Sequence, residues 1–179
     1  TEDGRLEVID GFKRLCHWRD CGATTVPVVV EPPVAKFEAK VLLLWSNAPP
    51  RTLSTMDEAR VVGSLHSDGI SVAAVAAMTG RKQGWVAKRL LLATRLSPSV
   101  ADRVDRRELG PTLAYALCSL GSEAQDELAR TAWRHRLKVH EGLALVAAFH
   151  CCDSDAERKQ LLAQPLEVVR PARRSTSPL

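Results

Sequence analysis

The stretch SVAAVAAMTGRKQGWVAKRL, residues 71–90, decides the fold of this chain because it contains two short helical patterns separated by a glycine. In a helix-turn-helix the first helix packs closely on the second, which favours small residues, a glycine in the turn and apolar residues on the inner face of the second helix. Five residues meet these requirements: Val75, Ala76, Gly80, Val86 and Leu90. The stretch therefore predicts a helix-turn-helix over residues 71–91.

The second helix of this pattern is predicted to have a basic outer face. With Val86 and Leu90 turned inward, the helical period places lysine, glutamine and alanine side chains outward. Lysine and arginine can neutralise phosphates or pair with guanine, glutamine can pair with adenine, and small residues let a helix approach base edges. The predicted contacts to double-stranded DNA are Arg81, Lys82, Gln83, Gly84, Trp85, Ala87, Lys88 and Arg89. An ordinary solvated basic face, with Trp85 in the core, is the alternative.

The composition is typical of a modest, mainly helical protein. Its 179 residues are 45% hydrophobic and 26% charged but only 4% aromatic. This supports one or two small cores packed through alanine and leucine, and it excludes disorder throughout the chain. The net charge of +4 and the pI of about 8.9 admit a polyanionic partner if the basic residues cluster.

The sequence favours a cytoplasmic protein without a membrane partner or a metal site. No apolar run is long enough for a membrane span, and no signal peptide opens the chain. The cysteines are scattered unevenly, which predicts free thiols: Cys16, Cys21, Cys118, Cys151 and Cys152. Cys16, His17 and Cys21 could be metal ligands, but no second Cys/His pair stands at zinc-finger spacing.

The first fifty residues predict a strand, a helix and a second strand. RLEVIDG at 5–11 alternates apolar and polar residues, FKRLCHWRDCG follows with a helical pattern, and VPVVV occupies 26–30. The predicted fold class is therefore α+β, mainly α, with a partial β-α-β subdomain at the amino terminus. Because the chain begins with Thr and enters a strand-like run almost at once, we expect part of an amino-terminal domain to be missing.

The rest of the chain is predicted to be all-helical. VAKFEAKVLLLWSNA has helical periodicity until two prolines end it near residue 50, and Ser54 is placed to cap the next helix. Further helical patterns follow, each bounded by Gly, Pro, Ser or Asp. The predicted domains are the subdomain at 1–50, a helical domain at 51–164 and a disordered basic tail at 165–179.

Three blocks of the sequence resemble the ParB family of partition and nucleoid-occlusion proteins. They are EVIDGFKRLCHWRDCGATTVPVVV, SNAPPRTLSTMDEAR and GISVAAVAAMTGRKQGWVAKRLLLATRLSPSVADRVDRREL, in the order that the family has them. The resemblance implies sequence-specific binding of double-stranded DNA by the helix-turn-helix and a nucleoid-associated location. It also implies a ParA-like ATPase as a partner and self-association, although no dimerisation domain is visible after residue 165.

The resemblance further implies a site for CTP with Mg²⁺. Two family motifs map this site to Gly11, Lys13, Arg14, Asn47 and Arg51. The chain departs from the first motif, G-E-R-R-x-R-A, at Phe12, Cys16 and His17. It departs from the second, E-N-x-x-R, at Ser46 and Pro50, so that Arg51 stands one residue late. Because phosphate binding depends on arginine geometry, we expect weak and unselective nucleotide binding or none.

Several functional interpretations stay open. The leading one is a ParB-like DNA-binding protein acting in partition, in transcriptional regulation or on a mobile element. The others are a CTP-dependent DNA clamp with CTPase activity and a degenerate fragment that binds nothing tightly. The segment GFKRLCHWRD has its own alternative, an ordinary amphipathic helix with Leu15 and Trp18 buried. No catalytic residues are predicted, because no set of metal-binding carboxylates or activated nucleophile is visible.

Overall fold

The structure is a computed structural model that describes residues 6–47 and 53–170. The chain divides into two compact units, unit 1 ending at Leu90 and unit 2 beginning at Leu91. In the described residues of unit 1 the helices are α1 Phe12–Asp20, α2 Lys36–Ser46, α3 Thr55–Ser67, α4 Val72–Thr79 and α5 Gln83–Arg95, the last continuing past the division. Those of unit 2 are α6 Pro98–Asp105, α7 Pro111–Leu117, α8 Ser122–Arg134, α9 Val139–His150, α10 Asp155–Ala163 and α11 Pro165–Val169.

The core of unit 1 forms between α2, α3, α4 and α5. Its buried members are Leu44, Val62, Leu65, Val75, Ala76 and Val86. Full burial of one such valine or leucine stabilises the fold by roughly 1.5–3 kcal/mol relative to exposure. At the start of α3 the Ser54 hydroxyl accepts from the Asp57 N–H, and the Asp57 carboxylate accepts from the Ser54 N–H, both at 3.0 Å. The predicted Ser54 cap is confirmed.

The predicted amino-terminal β-α-β subdomain is not seen in the described residues. Of its elements, only the helix is present, as α1, and residues 6–10 and 26–30 lie in no strand. Alternating or apolar residues make a strand only where another strand completes the hydrogen-bond ladder. Without such a partner among the described residues, Val29 is 89% exposed. The chain is therefore mainly helical, as predicted, but the β part of the predicted fold class is wrong here.

Helix α1 also differs from the amphipathic helix considered above. It has no buried residue, and Leu15 is only half-buried. Trp18, which that alternative buries, is 43% exposed. The apolar side chains of α1 are therefore largely exposed and do not form a packed face.

In unit 2, a buried glutamine joins the start of α6 to α8. The Gln125 side chain accepts from the Ser97 N–H at 2.8 Å and donates to the carbonyls of Arg95 and Leu120 at 2.8 and 2.9 Å. The Ser97 hydroxyl donates to the Asp126 carboxylate at 2.5 Å and also caps α6. All donors and acceptors of the Gln125 amide have partners, which makes its burial favourable.

The segment predicted as a disordered tail is partly ordered. Residues 165–169 form α11, and Pro165 is buried. The Arg170 guanidinium donates two hydrogen bonds to the Glu141 carboxylate of α9, at 2.5 and 3.1 Å. These hydrogen bonds hold the pKa of Glu141 down at about 2. Helix α11 and this long-range pair place residues 165–170 against α9, and residues 171–179 of the predicted tail lie outside the described part.

Two general features complete the fold. Within residues 6–47 and 53–170, no helix combines the length and the apolar character needed to cross a membrane. The five cysteines are free thiols, as predicted. Among them, Cys118 is buried, and the loss of hydration raises the pKa of its thiol to about 11.

Candidate nucleic-acid interface

The turn between α4 and α5 depends on one glycine. Helix α4 begins at the Ser71 cap, whose hydroxyl accepts from the Ala74 N–H at 3.2 Å. It ends at Gly80, which has a left-handed φ of 65°. The next N–H, of Arg81, donates back to the Ala76 carbonyl at 3.1 Å and closes the helix end. A Cβ at Gly80 would meet nothing within 4 Å, so the backbone conformation rather than space requires glycine here.

Helix α5 has one face in the core and the opposite face in solvent. Its first turn is closed by the Lys82 carbonyl, which accepts from Trp85 and Val86 at 2.9 and 3.2 Å. Val86 is fully buried, and Leu90 packs against the same cluster, as the periodicity predicts. The exposed residues of the face are Lys82, Gln83, Gly84, Ala87 and Lys88. They form a surface that can face a ligand, hereafter the outer face.

The basic charge of the chain is concentrated in this segment. Residues 71–90 contain four cationic residues, Arg81, Lys82, Lys88 and Arg89, and no aspartate or glutamate. The whole chain has a net charge of only +4, so the positive and negative charges of the remaining residues cancel. Such clustering produces a local positive potential that the overall composition does not reveal.

Trp85 holds two of these arginines beside its ring. The guanidinium carbons of Arg81 and Arg89 lie 5.2 and 4.9 Å from the centroid of the Trp85 ring. The spacing of four residues places all three side chains along one side of the helical segment. Each cation–π contact is worth about 0.5–1 kcal/mol at a partly exposed site. Trp85 itself is half-buried against the core cluster, and this packing holds its ring in place beside the two guanidinium groups.

A buried ion pair joins α5 to α3. Arg89 donates from Nε and Nη2 to Oε2 of Glu58, at 2.8 and 2.7 Å. The two side chains are only 14% and 8% exposed. Glu58 is not among the residues predicted above, although its position gives a signal, because it stands at helical spacing from Val62 and Leu65 on the core face of α3. A charged residue in an apolar stripe indicates a buried partner.

The residues implied for a nucleotide site are only partly brought together. Gly11 starts α1 with φ 82°, and the Arg14 guanidinium lies close to it, 3.1 Å from where a Cβ would stand. Arg14 also forms an ion pair with Asp10 at 3.5 Å. Lys13 is exposed. No hydrogen bond or ion pair in the described residues joins these groups to Asn47.

Asn47 is already used in the fold. It is buried, and its side-chain amide donates to the Leu43 carbonyl at 2.9 Å, at the end of α2. Arg51 lies outside the described residues.

The alternative metal ligands, Cys16, His17 and Cys21, do not form a metal site in the described residues. The Cys21 thiol lies 3.7 Å from His17 Nε2. The described residues contain no group of three His, Cys, Asp or Glu side chains that could hold a metal ion.

A short helix, a glycine turn and a second helix with an exposed basic face define the helix-turn-helix class of DNA-binding domains. Residues 51–150 match the family described as the ParB HTH domain. This match covers more than half of the 179 residues, and the chain belongs to the ParB family, as its sequence motifs predict. A search of curated proteins finds no match to the chain. The chain thus contains a ParB-type DNA-binding helix-turn-helix.

Proposed function

We propose that α5 enters the major groove of double-stranded DNA and recognises a specific sequence. The observation that carries this proposal is the outer face of α5, where cationic, amide and small side chains are exposed together. The opposite face is held in the core through Val86. A helix fixed in this way can approach base edges without losing its own packing.

The residues of the interface divide by their chemistry. Lys82 and Lys88 supply charge to the phosphates, while Gln83 offers an amide that pairs with adenine. Gly84 and Ala87 leave room for close approach. Arg81 stacks on Trp85 at the start of the helix and is assigned to phosphate. Arg89, paired with Glu58, acts as a positioning residue that holds Trp85.

Selection of bound DNA from a randomised duplex library tests this proposal directly. The full chain is expected to enrich one sequence motif. Gln83→Ala should relax the preference at one base pair by about 1–3 kcal/mol, whereas Lys82→Ala should weaken all sequences alike. Absence of any enriched motif, or an unchanged motif and affinity in both variants, contradicts the proposal.

Gly84→Ala separates DNA contact from folding. A Cβ at Gly84 meets nothing within 4 Å, so alanine should stabilise α5 by about 0.5–1 kcal/mol. The added methyl group lies on the outer face and should weaken DNA binding. Lys159→Ala, at an exposed position of α10, serves as the control without effect. A Gly84→Ala variant that melts higher and binds DNA as well as the parent would remove Gly84 from the interface.

We also propose a biological role in plasmid or chromosome partition, or in transcriptional regulation. Family membership supports this role. The expected partners are a ParA-like ATPase and a second copy of the chain, and the expected location is the nucleoid. The domain boundaries at residues 50 and 164 remain predictions. Gene neighbourhood separates the roles: an adjacent Walker-type ATPase gene with repeated palindromes favours partition, and a transposase gene favours a mobile element.

For nucleotides we propose weak, unselective binding rather than a CTP-driven switch. Gly11, Lys13 and Arg14 place positive charge at the start of α1, where backbone N–H groups favour a phosphate. Asn47, however, uses its amide within α2. Isothermal titration with CTP, ATP and GTP in the presence of Mg²⁺ should give comparable weak binding or none. Tight, Mg²⁺-dependent binding of CTP alone would instead establish the clamp and CTPase alternative.

A further inference from the structure

Unit 2 contains a cavity lined by both apolar and charged residues, none of which belongs to the outer face of α5. The cavity has a volume of about 510 Å³ and lies between the loop after α6, helix α7 and the α8–α9 turn. Leu109 and Leu113 are buried at its lining. Trp133 and Val139, also in the lining, are 56% and 50% exposed. An exposed tryptophan beside a cavity with buried apolar residues and a few charged groups is typical of a surface that binds a partner.

The rim of this cavity is basic. Arg134 and Arg136 are exposed, and neither guanidinium pairs with another side chain in the part of the chain that the structure describes. The acidic lining residue, Glu108, is neutralised by Arg103 at 3.0 Å. Arg103 also lies over the Trp133 ring, with its guanidinium carbon 5.8 Å from the centroid. The local excess of positive charge therefore comes from Arg134 and Arg136.

Arg136 occupies a backbone position that usually belongs to glycine. Its φ is 49°, and the next residue, Leu137, donates to the Ala132 carbonyl at 2.9 Å to close α8. Arg107, beside Glu108 at the end of α6, has φ 61° in the same kind of turn. Glycine adopts this conformation without the steric penalty that a side chain meets. Unfavourable backbone conformations of this kind concentrate at ligand-binding positions.

We propose that this cavity binds an acidic segment of a partner protein. The segment inserts one bulky apolar side chain beside Trp133, and its carboxylates pair with Arg134 and Arg136. Charge complementarity selects an acidic partner, because both unpaired groups of the rim are cationic. The apolar part of the lining favours a peptide over duplex DNA, which presents a convex phosphate surface with no apolar side chain to insert.

Selection from a random peptide display library on the full chain, followed by fluorescence anisotropy of the enriched peptides, tests this site. The enriched peptides should combine acidic residues with a leucine, phenylalanine or tryptophan. Trp133→Ser and Arg136→Gly should each weaken their binding by about tenfold or more, the loss typical of a central interface residue. Lys159→Ala is the control and should bind as the parent does.

Arg136→Gly keeps the test independent of folding, because glycine fits the left-handed turn at least as well as arginine. Its melting temperature should equal or exceed that of the parent. The proposal fails if no acidic peptides are enriched, or if they bind Arg136→Gly with parental affinity. It also fails if Arg136→Gly weakens duplex DNA binding as strongly as Lys82→Ala does, which would make this rim a DNA contact.

Discussion

Replacing Glu58 by alanine should destabilise unit 1 by about 3 kcal/mol. The substitution leaves the Arg89 guanidinium, 14% exposed, without the carboxylate that lies 2.7 Å away. Removing one partner of a buried ion pair costs about 3–5 kcal/mol, because the other charge stays desolvated. The contact between Arg89 and Trp85 remains, which places the expected value at the lower end. The buried pair thus holds α5 on α3.

Urea unfolding followed by circular dichroism measures this loss as a shift of the midpoint. Arg14→Ala is the control, because Arg14 pairs with Asp10 at 3.5 Å on the surface of the same unit, where both side chains are exposed. It should cost at most about 1 kcal/mol. A double-mutant cycle of Glu58→Ala and Arg89→Ala should show strong coupling. If Glu58→Ala costs no more than Arg14→Ala, or if the effects of Glu58→Ala and Arg89→Ala simply add, the buried pair does not hold α5.

Further predictions concern the turn, the carboxyl-terminal helix and a thiol. Gly80→Ala should lower the free energy of unfolding by about 1 kcal/mol, because φ at this position is 65°. Gly80→Asn should lower it less, since asparagine tolerates this conformation. Equal melting temperatures of both variants and the parent would contradict this prediction. The pKa of Glu141 falls from its usual 4.5 to about 2 through the hydrogen bonds from Arg170, so its stabilisation is complete above about pH 4.5 and is lost as the pH falls toward 2. Melting temperatures across this range should fall less steeply in Glu141→Gln than in the parent, and parallel curves would exclude the pair as the cause. The raised thiol pKa of Cys118, about 11, should make it react with a thiol reagent at pH 8 much more slowly than exposed Cys16, and equal rates would contradict its burial.

The helix-turn-helix was predictable because its determinants are local. The helical period fixes which side of α5 contains Val86 and which contains Lys82. Gly80 marks the turn because only a left-handed residue ends α4 in this way. The capping of α3 by Ser54 depends on a residue only three positions away. Each of these signals lies within one or two helical turns of the residue that it places.

The remaining features depend on residues far apart in the sequence. VPVVV at 26–30 has strand composition, but a strand requires a partner that composition does not supply. The pairing of Glu58 with Arg89 spans 31 residues, and that of Glu141 with Arg170 spans 29. The second pair orders a segment whose composition alone favours disorder. Spacing along the chain cannot predict such pairs, although a charge within an apolar stripe can indicate that one exists.

The salt dependence of DNA binding tests the central claim most directly. Lys82 and Lys88 are both exposed on the outer face of α5, and each phosphate contact contributes about 0.9 to the slope of log affinity against log salt concentration. With the enriched duplex as the probe in fluorescence anisotropy, Lys82→Ala combined with Lys88→Ala should therefore weaken binding and reduce the magnitude of the slope by about two. Lys159→Ala should leave both quantities unchanged. If the double variant keeps the affinity and the slope of the parent, α5 is not the helix that binds DNA.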